Sequence, residues 1–402
     1  LFYAFYCRSY QHMMRFASKL LKWRTPTVIT GKNSLQELPE LLLQKGHKRI
    51  LMVTDKGIRE AGLLDQLCSY LQGANIHYVI YDKTISNPTI KNIEEALSAF
   101  RDQQCEAIIA LGGGSVMDCA KIVGARYARN KPIPKMKGQL KVRTETPSLY
   151  AIPTTAGSGS EGTLAAVVSN PDTSEKYAIN DPVLIPNYAL LDPQLLVKLP
   201  PIITATTGMD ALTHAIEAFI GKSNTKETRA WSKEAVKLIF ENLERSYTNG
   251  DDLKARENMQ FAAYLAGIAF TRAYVGYVHA IAHTFGGFYQ VPHGLANAII
   301  LPYVLEYYDT EVYNSLAELT DVVSPRNSLN SSKQKALWFI NEIKRMNRAM
   351  HIPEKLAAID QEVIPKMVER TLQEANPLYP VPKILTKQDM YYLYKQMIAL
   401  NE

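Results

Sequence analysis

Short β-branched apolar runs alternate with helix-patterned stretches from Pro26 to about Asp192 and then nearly vanish, and this change of pattern constrains the fold more than any other feature. The runs include Arg49 to Thr54 (RILMVT), His77 to Tyr81 (HYVIY) and Ala107 to Leu111 (AIIAL). Strands separated by helices predict a parallel, doubly wound sheet. Ser34 and Glu37, three apart at the head of SLQELPELLLQK, read as a capping box opening a helix. Beyond Asp192, long helical stretches are punctuated by Pro200, Pro201, Pro292, Pro302, Pro325, Pro353, Pro365, Pro377 and Pro382. The tandem prolines of LPPIITA mark the boundary. The expected fold class is α/β plus all-α: a helical extension over 1–24, a Rossmann-like parallel-sheet domain over 25–196, and a helical domain over 197–402.

A chain of 402 residues, 47% apolar and 21% charged, can bury a sizeable core and is not of disordered or fibrous composition. The net charge of +6 comes from 45 Lys and Arg interspersed with 39 Asp and Glu, so no nucleic-acid partner is expected. The densest basic stretch, Lys131 to Arg143, lacks interleaved aromatics and reads as a solvated loop. Cys7, Cys68, Cys105 and Cys119 show no paired spacing, which predicts reduced thiols. No apolar run approaches the roughly 18 residues of a spanning helix, so no membrane partner and a cytoplasmic location are expected. Residues 1–24 are aromatic and basic with no acid, features a transit peptide can share. The favoured reading is a packed or dimer-contacting amphipathic helix whose Tyr and Phe face is buried.

Strand AIIAL runs into Gly112, Gly113, Gly114 and Ser115 and then a helical pattern. Glycines let backbone N–H groups approach a phosphate, and a helix N-terminus adds unpaired donors and partial positive charge. Ser115 as N-cap and Asp118 at the capping-box position would instead serve the helix itself. Ile152 to Thr163 (IPTTAGSGSEGT) supplies Thr154, Thr155 and Ser158 as further donors. Asp55, ending RILMVT, either stands where a carboxylate accepts from ribose hydroxyls and repels a 2′-phosphate, favouring NAD over NADP, or is a solvated loop Asp before Gly57.

Four of the eight histidines fall between 214 and 293. Asp210 and His214 lie four apart in GMDALTHAIEAFI, on one helix face. His279 and His283 repeat that step in GYVHAIAHTFGGF, and His293 follows in VPHG. A carboxylate and three neutral imidazoles suit divalent iron or zinc, and spacing alone leaves five candidates for four places. Phe270, Tyr274, Phe285 and Phe288 either narrow a pocket or, the commoner case for aromatics at helical spacing, fill core.

With these motifs read, the chain from about Trp23 onward resembles the iron-containing, group III alcohol dehydrogenases, through VTDKGI, NPT, GGGSVMDCAK, IPTTAGSGSE, GMDALTHAIEAF and GYVHAIAHTFGGFYQVPHGLANAIILP. The closing NP at Asn376 and Pro377 and the LTKQD segment also look like that family. The resemblance implies that Asp210, His214, His279 and His293 hold the metal, iron first and zinc second, and that His283 sits near the nicotinamide. It places NAD on Asp55, Asn87, Gly113, Gly114, Ser115, Thr154, Thr155, Ser158 and Lys176. It also implies hydride transfer between an alcohol and NAD, an aldehyde being the substrate in reverse, in a homodimer or higher homo-oligomer. Residues 1–22 extend beyond the common family start, and Ser158 replaces a Thr, keeping the hydroxyl. Rivals are a glycerol-dehydrogenase-like zinc enzyme, a lyase of the dehydroquinate synthase type, and a non-catalytic NAD-binding assembly protein.

Overall fold

The computed structural model describes residues 2–171, 175–357 and 359–399. Its strands are β1 (Thr27–Thr30), β2 (Arg49–Val53), β3 (His77–Tyr81), β4 (Ala107–Gly112), β5 (Gly138–Gln139), β6 (Ser148–Pro153), β7 (Ala165–Asn170), β8 (Glu175–Asn180) and β9 (Tyr188–Leu191). The helices begin with α1 (Phe2–Ser18), α2 (Leu38–Gln44), α3 (Lys56–Glu60), α4 (Asp65–Gly73), α5 (Ile90–Asp102) and α6 (Gly114–Ala128). After the last strand come α7 (Pro201–Ile220), α8 (Lys226–Thr248), α9 (Leu253–Ala273), α10 (Tyr277–Tyr289), α11 (His293–Tyr308), α12 (Tyr313–Val323), α13 (Ser332–Ala349), α14 (Ile364–Ala375) and α15 (Lys387–Met397).

Six strands form one sheet in the order β1-β9-β6-β4-β2-β3, with every pairing parallel. β4 is buried along its whole length, as a strand covered on both faces must be. Its register with β6 ends on Gly112 opposite Pro153. The glycine turn after β4 and the hydroxyl-rich segment after β6 therefore leave the sheet side by side, at the carboxyl ends of adjacent strands where ligands of such folds bind. A smaller sheet, β5-β8-β7, adds the antiparallel β7–β8 hairpin. Beyond β9 no strand is found among the described residues, which is the α/β plus all-α architecture expected.

The chain divides into a sheet unit, residues 22–199 and 251–264, and a helical unit, residues 1–21, 200–250 and 265–402. The first half of α9 belongs with the strands because Gln260 Nε2 donates to the Pro153 carbonyl at 3.0 Å. The basic stretch from Lys131 forms a 3-10 turn at Ile133–Met136 and the short strand β5, anchored by buried Ile133, Met136 and Val142, with Lys135, Lys137, Lys141 and Arg143 exposed.

Three local expectations are corrected. Ser34–Glu37 is a 3-10 turn entered through Asn33 in the left-handed region, with no side-chain cap; Pro39 in the first turn of α2 lets the α-helix start only later. Gly113, not Ser115, is the N-cap of α6, again without a side-chain cap, and Asp118 is buried instead of closing a capping box. Within one chain the aromatic face of α1 is not packed, which corrects the packed reading and leaves the dimer-contacting one: Phe2, Tyr3, Phe5, Tyr6, Met13 and Phe16 all face solvent.

Beneath the glycine turn, Lys121 is buried and its Nζ donates to Ser160 Oγ, Thr163 O, Thr163 Oγ1 and Ala165 O, each at 2.9 Å. Burial pushes its ammonium down to about 8 and the neighbouring Asp118 carboxyl up to about 6, each partly offset by the other's charge. The lysine ties α6 to the segment after β6. Lys121→Met strands these acceptors without a donor, and should destabilise the protein by about 3 kcal/mol, read as a lower midpoint of urea unfolding.

Candidate metal centre and cofactor cradle

α7 is apolar almost all round and is buried from Met209 through Ile220. Its period places Asp210 and His214 on one side, where α10 brings His279 and the first residue of α11 brings His293. The ligand atoms of these four residues all lie within 4.8 Å of one another. His279 Nε2 is 3.8 Å and His293 Nε2 3.5 Å from Asp210 Oδ1. Gly294 allows the start of α11 to reach α7, since a Cβ there would lie 2.4 Å from the Thr206 carbonyl oxygen. Phe270 packs flat on the His214 ring at 4.2 Å, so it walls the site as well as filling core.

Burial lowers His214 and His279 to about 4, so both are neutral near pH 7 and keep a nitrogen lone pair. Burial opposes ionisation of Asp210, but His214, His293 and His279 outweigh it and hold the carboxyl below its ordinary range. His214 Nδ1 and His279 Nε2 are buried with no hydrogen-bond partner. Such atoms cost about 1–3 kcal/mol each if left unsatisfied. A divalent cation among one carboxylate and three imidazoles satisfies His279 Nε2, which faces Asp210, so the donor set fits iron or zinc.

Three supporting residues escaped the sequence reading. Glu217 accepts from the backbone N–H of Gly276 and of Val278, both at 2.8 Å, and from His279 Nδ1 at 2.6 Å. That contact places the proton on Nδ1 and turns Nε2 toward Asp210. Glu217 follows Asp210 by seven positions on the same buried helix face, and an acid in so apolar a stretch was the available signal. Asn297 Nδ2 donates to Asp210 Oδ1 at 2.7 Å and lies 3.1 Å from His293 Nε2. Glu374 takes His283 Nδ1 at 2.7 Å and the Tyr379 hydroxyl at 2.9 Å. His283 stacks on His293 with ring centroids 5.2 Å apart and is outside the four-residue cluster.

In the sheet unit, the two loops meet as the strand register requires. A Cβ on Gly114 would lie 3.1 Å from Ser158 Oγ, and one on Gly113 3.7 Å from Thr155 Oγ1. Thr154 is buried and its N–H donates to the Gly112 carbonyl at 3.1 Å. Asn87, in the left-handed region, donates its N–H to Ser115 Oγ at 3.2 Å and accepts from Lys176 Nζ at 2.5 Å. These residues ring the uncapped N-terminus of α6, a donor-lined cradle suited to a diphosphate. Asp55 ends up as the N-cap of α3, with Oδ1 accepting from Ile58 N–H at 2.9 Å.

Glu217→Gln keeps the volume but offers one oxygen to three donors. It should weaken divalent-ion binding about 10- to 100-fold, measured as metal content after dialysis against graded chelator.

Two family models cover most of the chain: "Iron-containing alcohol dehydrogenase" matches residues 25–193, and "Fe-containing alcohol dehydrogenase family, C-terminal" matches residues 204–398. The 1,3-propanediol dehydrogenase of Klebsiella pneumoniae is 35% identical over 370 residues, 91% of this chain and 95% of that one. The NAD-dependent methanol dehydrogenase of Bacillus methanolicus is 32% identical over 375 residues, 93% of this chain and 98% of that one. The crystal structure of a 1,3-propanediol oxidoreductase superposes with a TM-score of 0.90 at 34% identity, covering 94% of this chain and 100% of that one. A buried Asp and three His on helices, after a parallel sheet with a glycine-rich turn, thus occur in a chain that belongs to the iron-containing alcohol dehydrogenase family and is an alcohol oxidoreductase.

Proposed function

We propose that the chain catalyses reversible hydride transfer between a primary alcohol or diol and NAD, using a divalent ion, iron before zinc, held by Asp210, His214, His279 and His293. The orphaned buried nitrogen His279 Nε2, 3.8 Å from Asp210 Oδ1 inside the four-residue cluster, carries this reading. A bound divalent ion supplies Lewis acidity to an alcohol oxygen, and NAD supplies the hydride acceptor.

The protein's own groups do the rest. Glu217 fixes the tautomer and orientation of His279, and Asn297 holds the Asp210 carboxylate. His283 has Nδ1 committed to Glu374, so Nε2 is the atom that handles the alcohol proton, with Glu374 and Tyr379 steadying the ring. Asp55, Asn87, Gly113, Gly114, Ser115, Thr154, Thr155, Ser158 and Lys176 hold the dinucleotide, and Asp55 disfavours a 2′-phosphate by like charge. On this reading residues 25–196 are the dinucleotide-binding domain and 197–402 the metal-binding domain, in a cytoplasmic homodimer.

His279→Ala should lose bound metal and alcohol-dependent reduction of NAD together, checked by elemental analysis and by turnover on a panel of short primary alcohols and diols. Undiminished turnover in metal-free His279→Ala would sink the assignment. Gly114→Ala sets a methyl group against Ser158 and into the cradle, so KM for NAD should rise about tenfold, equivalent to about 1.4 kcal/mol, with metal content unchanged.

A further inference from the structure

α1 is amphipathic in the opposite sense to a helix that docks through its apolar side. Its polar side faces the helical unit. Arg8 donates to the carbonyls of Val381 and Pro382 at 2.7 and 2.8 Å, and Gln11 Nε2 to those of Pro377 and Tyr379 at 3.1 and 2.7 Å. Arg15 donates to the carbonyls of Lys222 and Asn224 at 3.4 and 3.3 Å. With 3.6 residues per turn, Phe2, Phe5, Tyr6, Ser9, Met13 and Phe16 share the other side. All six are exposed, Phe2 to 89%, Phe5 to 72% and Phe16 to 67%, and Leu20 continues the stripe in the turn that follows.

A contiguous apolar stripe held outward by six hydrogen bonds to main-chain carbonyls is not a side chain or two left over from packing. At 150–250 Å² per aromatic side chain, its exposed surface is on the order of 800 Å². One partner of a stable, specific protein interface contributes about that much. The composition agrees, because Phe, Tyr and Met are enriched, and charge depleted, at the centre of such interfaces.

We propose that this stripe is the docking surface for the same stripe on a second copy of the chain, two α1 helices crossing antiparallel about a two-fold axis near Ser9. Ser9 is the small residue between Tyr6 and Met13 at the middle of the 17-residue helix. A small side chain at the crossing point lets two helices approach while the larger groups on either side interdigitate. A two-fold axis needs only self-complementarity, which an uncharged stripe has. Lys19 and Lys22, just past the helix, are carried by the antiparallel arrangement to opposite ends of a rod about 26 Å long. That exceeds the Debye length of about 8 Å, so they do not repel. An anionic lipid surface is the weaker occupant, because Arg8 and Arg15 spend their charge on the chain's own carbonyls instead of flanking the stripe. Both family models begin beyond α1, so the surface lies outside what they match. The proposal does not depend on the reading of the metal centre.

The test uses the full chain. Light scattering after size exclusion should give Phe5→Ser/Phe16→Ser half the mass of the parent protein, with circular dichroism unchanged. Ser9→Cys should form a disulfide-linked dimer under mild oxidation, while Thr248→Cys, on the exposed end of α8, should not. Equal masses for parent and double variant overturn the proposal, as does failure of Ser9→Cys to cross-link. Binding of the parent to vesicles of phosphatidylcholine with phosphatidylserine, abolished in the double variant while the masses stay equal, overturns it in favour of a lipid surface.

Discussion

One buried carboxylate holds the candidate metal centre together. Glu217 stands on α7 beside Asp210 and His214, yet its oxygens are spent on the first turn of α10 and on the ring of His279. Two elements distant in sequence are thereby set in register, and the imidazole is turned so that its free nitrogen faces the carboxylate of Asp210. Burial pushes Glu217 up to about 7, and the backbone donors of Gly276 and Val278 work against that rise. The site is thus prearranged by contacts that do not involve an ion, which is the condition for tight and selective metal binding.

The cofactor cradle follows a different logic, that of strand register. β4 and β6 are neighbours and end level, so the backbone turns that follow them must lie together. Buried Lys121 then clamps the far end of the second loop, where it enters β7, against α6. Hydroxyls and backbone donors at the mouth come from both loops, and glycine at 113 and 114 leaves the space between them open. Precision here comes from the sheet, whose strands are rigid and buried, and not from the loops themselves.

Much of this was legible in the sequence because it is local. The change of period at Asp192 marks where the sheet ends, and the strands His77–Tyr81 and Ala107–Gly112 fall where the apolar runs predict them. The i, i+4 step of Asp210 and His214 places both on one helix face without any knowledge of what that face meets. Helix starts were less legible. At Ser34 and Ser115 the residue types of a cap were present, but the backbone enters through Asn33 and Gly113, because a following proline or a turn against a neighbouring strand decides where the helix begins.

The sequence by itself determined the class of fold, the two chemical segments and the set of residues able to bind a cation, since each depends on spacing along one element. Only the tertiary structure decided which partner each polar group takes. His279 meets Glu217 across 62 positions, His283 meets Glu374 across 91, and four of the five candidate metal ligands close into one cluster. It also decided that α1 turns its arginines inward and its aromatics outward. The periodicity of a helix shows that it has two faces, but which face is covered depends on what lies opposite. Here that is a row of main-chain carbonyls from Pro377 to Pro382, and they select Arg8 and Gln11 over Phe5 and Phe16.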